Sequence, residues 1–165
     1  MVSRLAFVAA LLTALPSSAA TGASHCGAEE ETLFTCNTGR KLVSVCTSRD
    51  LSASSGFVQY RFGPPAAPEL VYPPADADWR AVTRGSVLTY SGGGGAYLAF
   101  SRGPYRYVVY TAIGSGWGTK AGVVVEKGGK RVANLPCTSQ ETSEIGPDLF
   151  ARAGIAEDSG GFDLP

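Results

Sequence analysis

The sequence predicts an all-β protein, an antiparallel barrel or rolled sheet of about eight strands with one short C-terminal helix. Three observations lead there. Gly and Pro make up 31 of 165 residues, punctuation that suits short strands and turns better than long helices. Apolar segments are short, and several alternate with a period of two. Hairpin signals join successive segments, with no alternating strand–helix pattern.

Residues 1–20 carry one positive charge, Arg4, then an apolar run over 5–15, then small residues up to Ala20. That order describes a secretory signal peptide cleaved after Ala20, with a second small-residue site after Ala23. The apolar run is too short to span a bilayer. About 145 residues remain, enough for one domain and one core. His25 directly before Cys26 does not suit lipoprotein processing, so a free periplasmic or secreted bacterial protein is expected, without membrane insertion.

Phe34-Thr35-Cys36 and Leu42-Val43-Ser44-Val45-Cys46 flank the turn signal Asn37-Thr38-Gly39-Arg40 and should pair. Val58, Tyr60 and Phe62 alternate with Gln59 and Arg61, and Pro64-Pro65 ends that strand. Residues 69–72 lie between prolines, as an edge strand would. Residues 79–90 offer one or two strands broken near Arg84-Gly85, and residues 91–95 a glycine loop. Residues 96–102 and 105–113 form a hairpin across Gly103-Pro104. Residues 122–127 and 130–135 form another across Gly128-Gly129, a two-residue turn that tolerates positive φ. The helical candidate is 143–153, capped by Ser143, with Ile145, Leu149 and Phe150 on one face.

Four cysteines in an exported chain read as two disulfides. With no C-x-x-C pair and one histidine in a segment expected to be loose, a zinc site is disfavoured. In the hairpin register Cys46 faces residue 31 or 32, roughly 13 Å along the strand from Cys36. A disulfide needs Cα atoms within ~7 Å, so Cys36–Cys46 is set aside. Two connectivities survive, and Cys36–Cys137 with Cys26–Cys46 is preferred.

The formal net charge is zero, which argues against a nucleic-acid binder relying on a broad basic field. Residues 21–140 hold 12 basic and 8 acidic side chains, whereas 141–165 hold six acidic residues and only Arg152. This divides the mature chain into a β domain, 21–140, and an acidic helix and tail, 141–165. The plain reading leaves 158–165 solvated and disordered. The sharper reading folds the tail across a weakly basic face.

Ser91-Gly92-Gly93-Gly94-Gly95-Ala96-Tyr97 is not a phosphate-binding loop, since no Lys-Ser or Lys-Thr follows and no helix opens after it. It reads as a flexible connection or as a protruding loop whose bare backbone can enter a cleft. Trp117, Thr119 and Lys120 lie on a glycine-rich tip, and Trp117 is either a contact anchor or packing over the end of the barrel. A Ser-His-Asp site would have to recruit His25, and Glu69, Asp76, Asp78 and Glu126 sit in no recognisable catalytic setting. No enzyme activity, cofactor or metal is expected.

Phe34-Thr35-Cys36, the Ser-Gly segment ending in Tyr97, Thr119-Lys120 and Leu135-Pro136-Cys137 together resemble the bacterial periplasmic and membrane-bound lysozyme inhibitors. The resemblance covers mainly residues 34–36 and 91–137. The chain also resembles unnamed exported bacterial proteins, for which the likeness implies no activity. The first resemblance implies a small antiparallel barrel, a disulfide from a first-strand cysteine to a C-terminal one, and a lysozyme-like glycoside hydrolase as protein partner. Ser91, Gly92, Tyr97, Trp117, Thr119 and Lys120 would then form the cleft-inserting surface, with Tyr97 supporting the loop. The competing expectation is a binding or structural module of the cell envelope with neither inhibitory nor catalytic activity.

Overall fold

The computed structural model describes residues 23–165, so the expected leader and its cleavage site lie outside the described residues. Among the described residues, ten strands form two antiparallel five-stranded sheets. The first sheet contains β1 (Glu30–Thr38), β2 (Lys41–Ser48), β3 (Val58–Gly63), β4 (Leu70–Tyr72) and β10 (Thr142–Ser143), in the order β10-β1-β2-β3-β4. The second contains β5 (Thr83–Tyr90), β6 (Gly93–Arg102), β7 (Tyr105–Gly114), β8 (Gly118–Lys127) and β9 (Lys130–Pro136), in chain order. The described residues also form two helices, α1 (Trp79–Val82) and α2 (Pro147–Ala153).

The expected hairpins form where turn chemistry demanded them. Gly39 takes φ 76° between Thr38 and its partner Lys41, and Gly128 and Gly129 take φ 56° and 75° between β8 and β9. Thr32 faces Cys46, the spacing that excluded Cys36–Cys46. A bulge between Thr32 and Phe34 lets the consecutive Leu33 and Phe34 both enter the core.

The sheets meet face to face across one apolar core. Val43, Val45, Val58 and Tyr60 from the first sheet pack with Ala96, Leu98, Phe100, Val109 and Val123 from the second. Tyr60 is central, with its ring centroid 5.8 Å from Phe100 and 5.4 Å from Tyr107. Cys36–Cys137 ties β1 to the residue after β9, and Cys26–Cys46 anchors the segment before β1. Two disulfides mark an oxidising, extracytoplasmic compartment. Among the described residues no helix is long and apolar enough to cross a membrane.

Several expectations change. The sheets do not close into one barrel. β4 is three residues long and ends at Pro73-Pro74, while β10 has two residues, so neither edge can extend a ladder to the other sheet. Residues 79–82 are helical, not strand: the Asp78 carboxylate accepts the Arg80 N–H at 3.1 Å. Trp79 Nε1–H donates to the Gly56 carbonyl at 2.9 Å. β5 then runs unbroken through Gly85, where any Cβ would meet the Phe150 ring.

Ser143 does not cap the last helix. It lies in β10, and α2 begins four residues later at Pro147, with Gly146 extended before it. A residue preceding proline is disfavoured in the α region, which moves the start. Ile145 and Leu149 are nonetheless buried and Phe150 packs on the same core. The segment around His25 is also held in place: His25 N–H donates to Ser44 Oγ at 3.0 Å, and Arg61 donates to the His25 carbonyl at 2.7 Å.

Candidate functional site

The Ser91-Gly92 turn and the Ser115-Gly116-Trp117 loop lie side by side at one end of the second sheet. Gly92 takes φ 76°, and its carbonyl accepts the Ser115 N–H at 2.8 Å, tying the two turns together. Gly114 cannot carry a side chain, because its Cβ position is filled by the Trp117 indole. Trp117 folds back over it and packs on Tyr90 with centroids 5.9 Å apart. Lys120 Nζ lies 5.3 Å from the indole centroid, within cation–π range. Trp117 remains 40% exposed and Ile113 63% exposed, so the tip presents apolar surface beside an ammonium group.

Ser91, Gly92, Trp117, Thr119 and Lys120 are thus gathered at this end, with Thr119 opposite Ile113 and Lys120 opposite Ala112. Tyr97 is not. It is 1% exposed in the middle of β6, opposite Tyr110 and Ser86, roughly 15 Å along the strand from the turn. It supports no loop, and Gly93, Gly94 and Gly95 are strand residues rather than a protruding loop. At Gly95 a Cβ would collide with the β7 backbone, so glycine here permits close strand approach.

Tyr97 belongs to a second apolar layer, on the outer face of the second sheet. Tyr97, Ala99, Val108, Tyr110 and Val124 are buried there beneath Leu88, Phe162 and Leu164. The acidic tail is therefore ordered and docked, which overturns its reading as a disordered segment. Asp158 accepts the Tyr97 hydroxyl at 2.8 Å and pairs with Arg106, which also donates to Glu126 at 2.6 Å. Phe162 packs on Tyr97 and Tyr110 with centroids 5.2 and 5.4 Å away. Arg131 donates to the Asp163 carbonyl and Lys120 to the Pro165 carbonyl, each at 2.6 Å. Continuous apolar runs in β7 and β8, such as Val123-Val124-Val125, carry the sequence signal of a sheet covered on both faces.

Two carboxylates elsewhere are engaged in ion pairs. Glu30 forms a two-point pair with Arg61, both bonds 2.7 Å. Burial alone would raise the Glu30 carboxyl, but the bonds from Arg61 and the Gly27 N–H, with the Arg61 charge, hold it below its ordinary value. Glu69 pairs with Lys41 at 2.5 Å. Cys26, Glu30 and Cys46 cluster within 4.8 Å, but the sulfurs are bonded to each other and Glu30 is engaged by Arg61, so this set offers no cation site.

Burial raises the Tyr60, Tyr97 and Tyr110 phenols, with Asp158 adding to the shift at Tyr97. A raised folded-state value means stability is fully present below the unfolded tyrosine pKa of about 10 and falls as pH rises above it. Urea melts across this range should show constant stability up to about pH 9 and a decline above about 10, near 1.4 kcal/mol per pH unit per tyrosine. Tyrosinate absorbance should appear together with unfolding. Ionisation of all seven tyrosines in the folded state would contradict this.

The fold and tip define a disulfide-stapled, two-sheet β protein whose paired hairpin turns carry exposed apolar side chains beside an ammonium group. Comparison with protein-family models, with curated proteins and with solved structures finds no match to this chain.

Proposed function

We propose that the protein is an exported, lysozyme-inhibitor-like binding protein that fills a glycoside hydrolase cleft with its paired-hairpin tip. The bond from Ser115 N–H to the Gly92 carbonyl carries this reading, because it brings the Ser91-Gly92 turn to the end of the sheet that holds Trp117 and Lys120. A lysozyme cleft holds one protonated and one ionised carboxyl group. Lys120 would donate to the ionised carboxylate and Ser91 to the other, while Trp117 supplies the apolar anchor. Lys120 would exchange its exposed bond to the Pro165 oxygen for a charge-assisted bond to a cleft carboxylate, worth about 1.5–3 kcal/mol. The docked acidic segment lessens the repulsion between a basic β domain and a basic hydrolase.

A lysozyme turbidity assay with micromolar mature protein tests the proposal. Inhibition is expected, with Lys120→Ala weakening it about tenfold or more. Unchanged lysis rejects inhibition and leaves the second reading, an envelope binding or structural module. The burial of Tyr97 and the engagement of Lys120 by Pro165 favour that alternative.

A further inference from the structure

The outer face of the second sheet is built as a site that has an occupant. Its floor is Tyr97, Tyr110 and Val124, and three cations reach over it: Arg106, Arg131 and Lys120. Residues 159–165 lie across this floor but form no strand and no sheet ladder. Phe162 rests between two tyrosine rings, and the three cations hold the Gly161, Asp163 and Pro165 carbonyls. Every one of those three bonds is solvent-exposed.

Upstream, the chain is secured differently. Asp158 is half-buried against Arg106 and Tyr97, and Asp158 N–H donates to the Gly85 carbonyl at 3.0 Å. The strap begins with Gly160 and Gly161 just after this anchor, the latter at φ 68°. Open cavities of about 670 and 400 Å³ flank the strap, one beside Arg106 and Arg131, the other beside Tyr97 and Leu88. A firmly fixed hinge followed by a segment held by two partly buried side chains, Phe162 and Leu164, and by exposed bonds is the pattern of low local stability.

We propose that this face is a peptide-binding groove and that residues 159–165 fill it as a displaceable internal ligand. The partner it fits is an extended peptide carrying phenylalanine next to an acidic residue, the chemistry of the occupant itself. The phenylalanine enters between Tyr97 and Tyr110, and the backbone carbonyls take up Arg131 and Lys120. Tethering through two glycines gives the internal segment an effective concentration in the millimolar range. An external peptide therefore competes poorly until the internal phenylalanine is lost or the partner binds more tightly.

The test uses the full chain, its Phe162→Ala variant and a labelled heptapeptide with the sequence of residues 159–165. The variant should bind the peptide at least tenfold more tightly than the unaltered chain. Adding Arg131→Ala to the variant should weaken binding severalfold, and a peptide with alanine in place of phenylalanine should not bind. Equal affinity of variant and unaltered chain, or equal binding of the alanine peptide, overturns the proposal. So does a full-chain dimer that Phe162→Ala converts to monomer, because the groove would then belong to a second copy.

Hydrogen exchange of the unaltered chain gives a reading independent of the variant's folding. Amides of 159–165 should exchange far faster than those of β6–β8, and protection equal to the sheet's would show a strap that does not leave. None of these measurements involves a lysozyme, so their outcome is separate from that of the inhibition assay.

Discussion

Replacing Cys36 and Cys137 together with alanine should destabilise the protein by about 4–5 kcal/mol, lowering its thermal midpoint on the order of 10–20 °C. The cross-link joins positions 101 residues apart, so its loss restores a large amount of chain entropy to the unfolded state. It also spans the two sheets at the place where the chain leaves β9, beside the Cys137 N–H bond to Ala121 and the Thr138 N–H bond to Asn37. The paired change at Cys26 and Cys46, only 20 residues apart, should cost about 3 kcal/mol. Thermal melts of both double variants settle the order. A larger loss at Cys26 and Cys46 would show that native contacts of the segment before β1 outweigh loop closure.

Arg106→Ala should destabilise by about 2–4 kcal/mol, more than any other single charge removal on the outer face. The Arg106 guanidinium serves Glu126 with one nitrogen and Asp158 with the other. The Asp158 and Glu126 side chains are only 11% and 19% exposed. Removing the cation leaves two poorly hydrated carboxylates facing the same gap, which is where the energy lies. Lysine should recover little, since an ammonium cannot reproduce the planar fork. Arg131→Ala, losing one exposed bond to Asp163, should stay within about 1 kcal/mol. Urea denaturation of the three variants checks this, and equal losses at Arg106 and Arg131 would show that the charge cluster contributes no more than an exposed contact.

The hairpins were legible because their determinants are local. Gly39, Gly128 and Gly129 sit where positive φ is needed, and the register that follows from the first turn already separates Cys46 from Cys36. The helix at Trp79–Val82 was missed because four residues show no period, and its cap, Asp78, lies in a segment dominated by proline and alanine. Gly93, Gly94 and Gly95 read as a loop because glycine is the ordinary residue of turns. Their role in β6 depends on how closely the neighbouring backbones approach, β7 at Gly93 and Gly95 and β5 at Gly94, distances that composition does not encode.

The tip residues were legible as a group through glycine, tryptophan and lysine on neighbouring turns. Tyr97 was misplaced because a tyrosine after a glycine run carries no mark of which face it takes.

From the sequence alone came the all-β class, the hairpin pairings, the exclusion of Cys36–Cys46 and the charge division between the β domain and the last 25 residues, since each follows from neighbours along the chain. The separation into two sheets and the covering of the outer face were decided only in three dimensions. Asp158 meets Tyr97 from 61 positions away, and Phe162 finds its place only once β6 and β7 have set two tyrosines side by side. Contacts at such separation are formed by packing and leave no period to read.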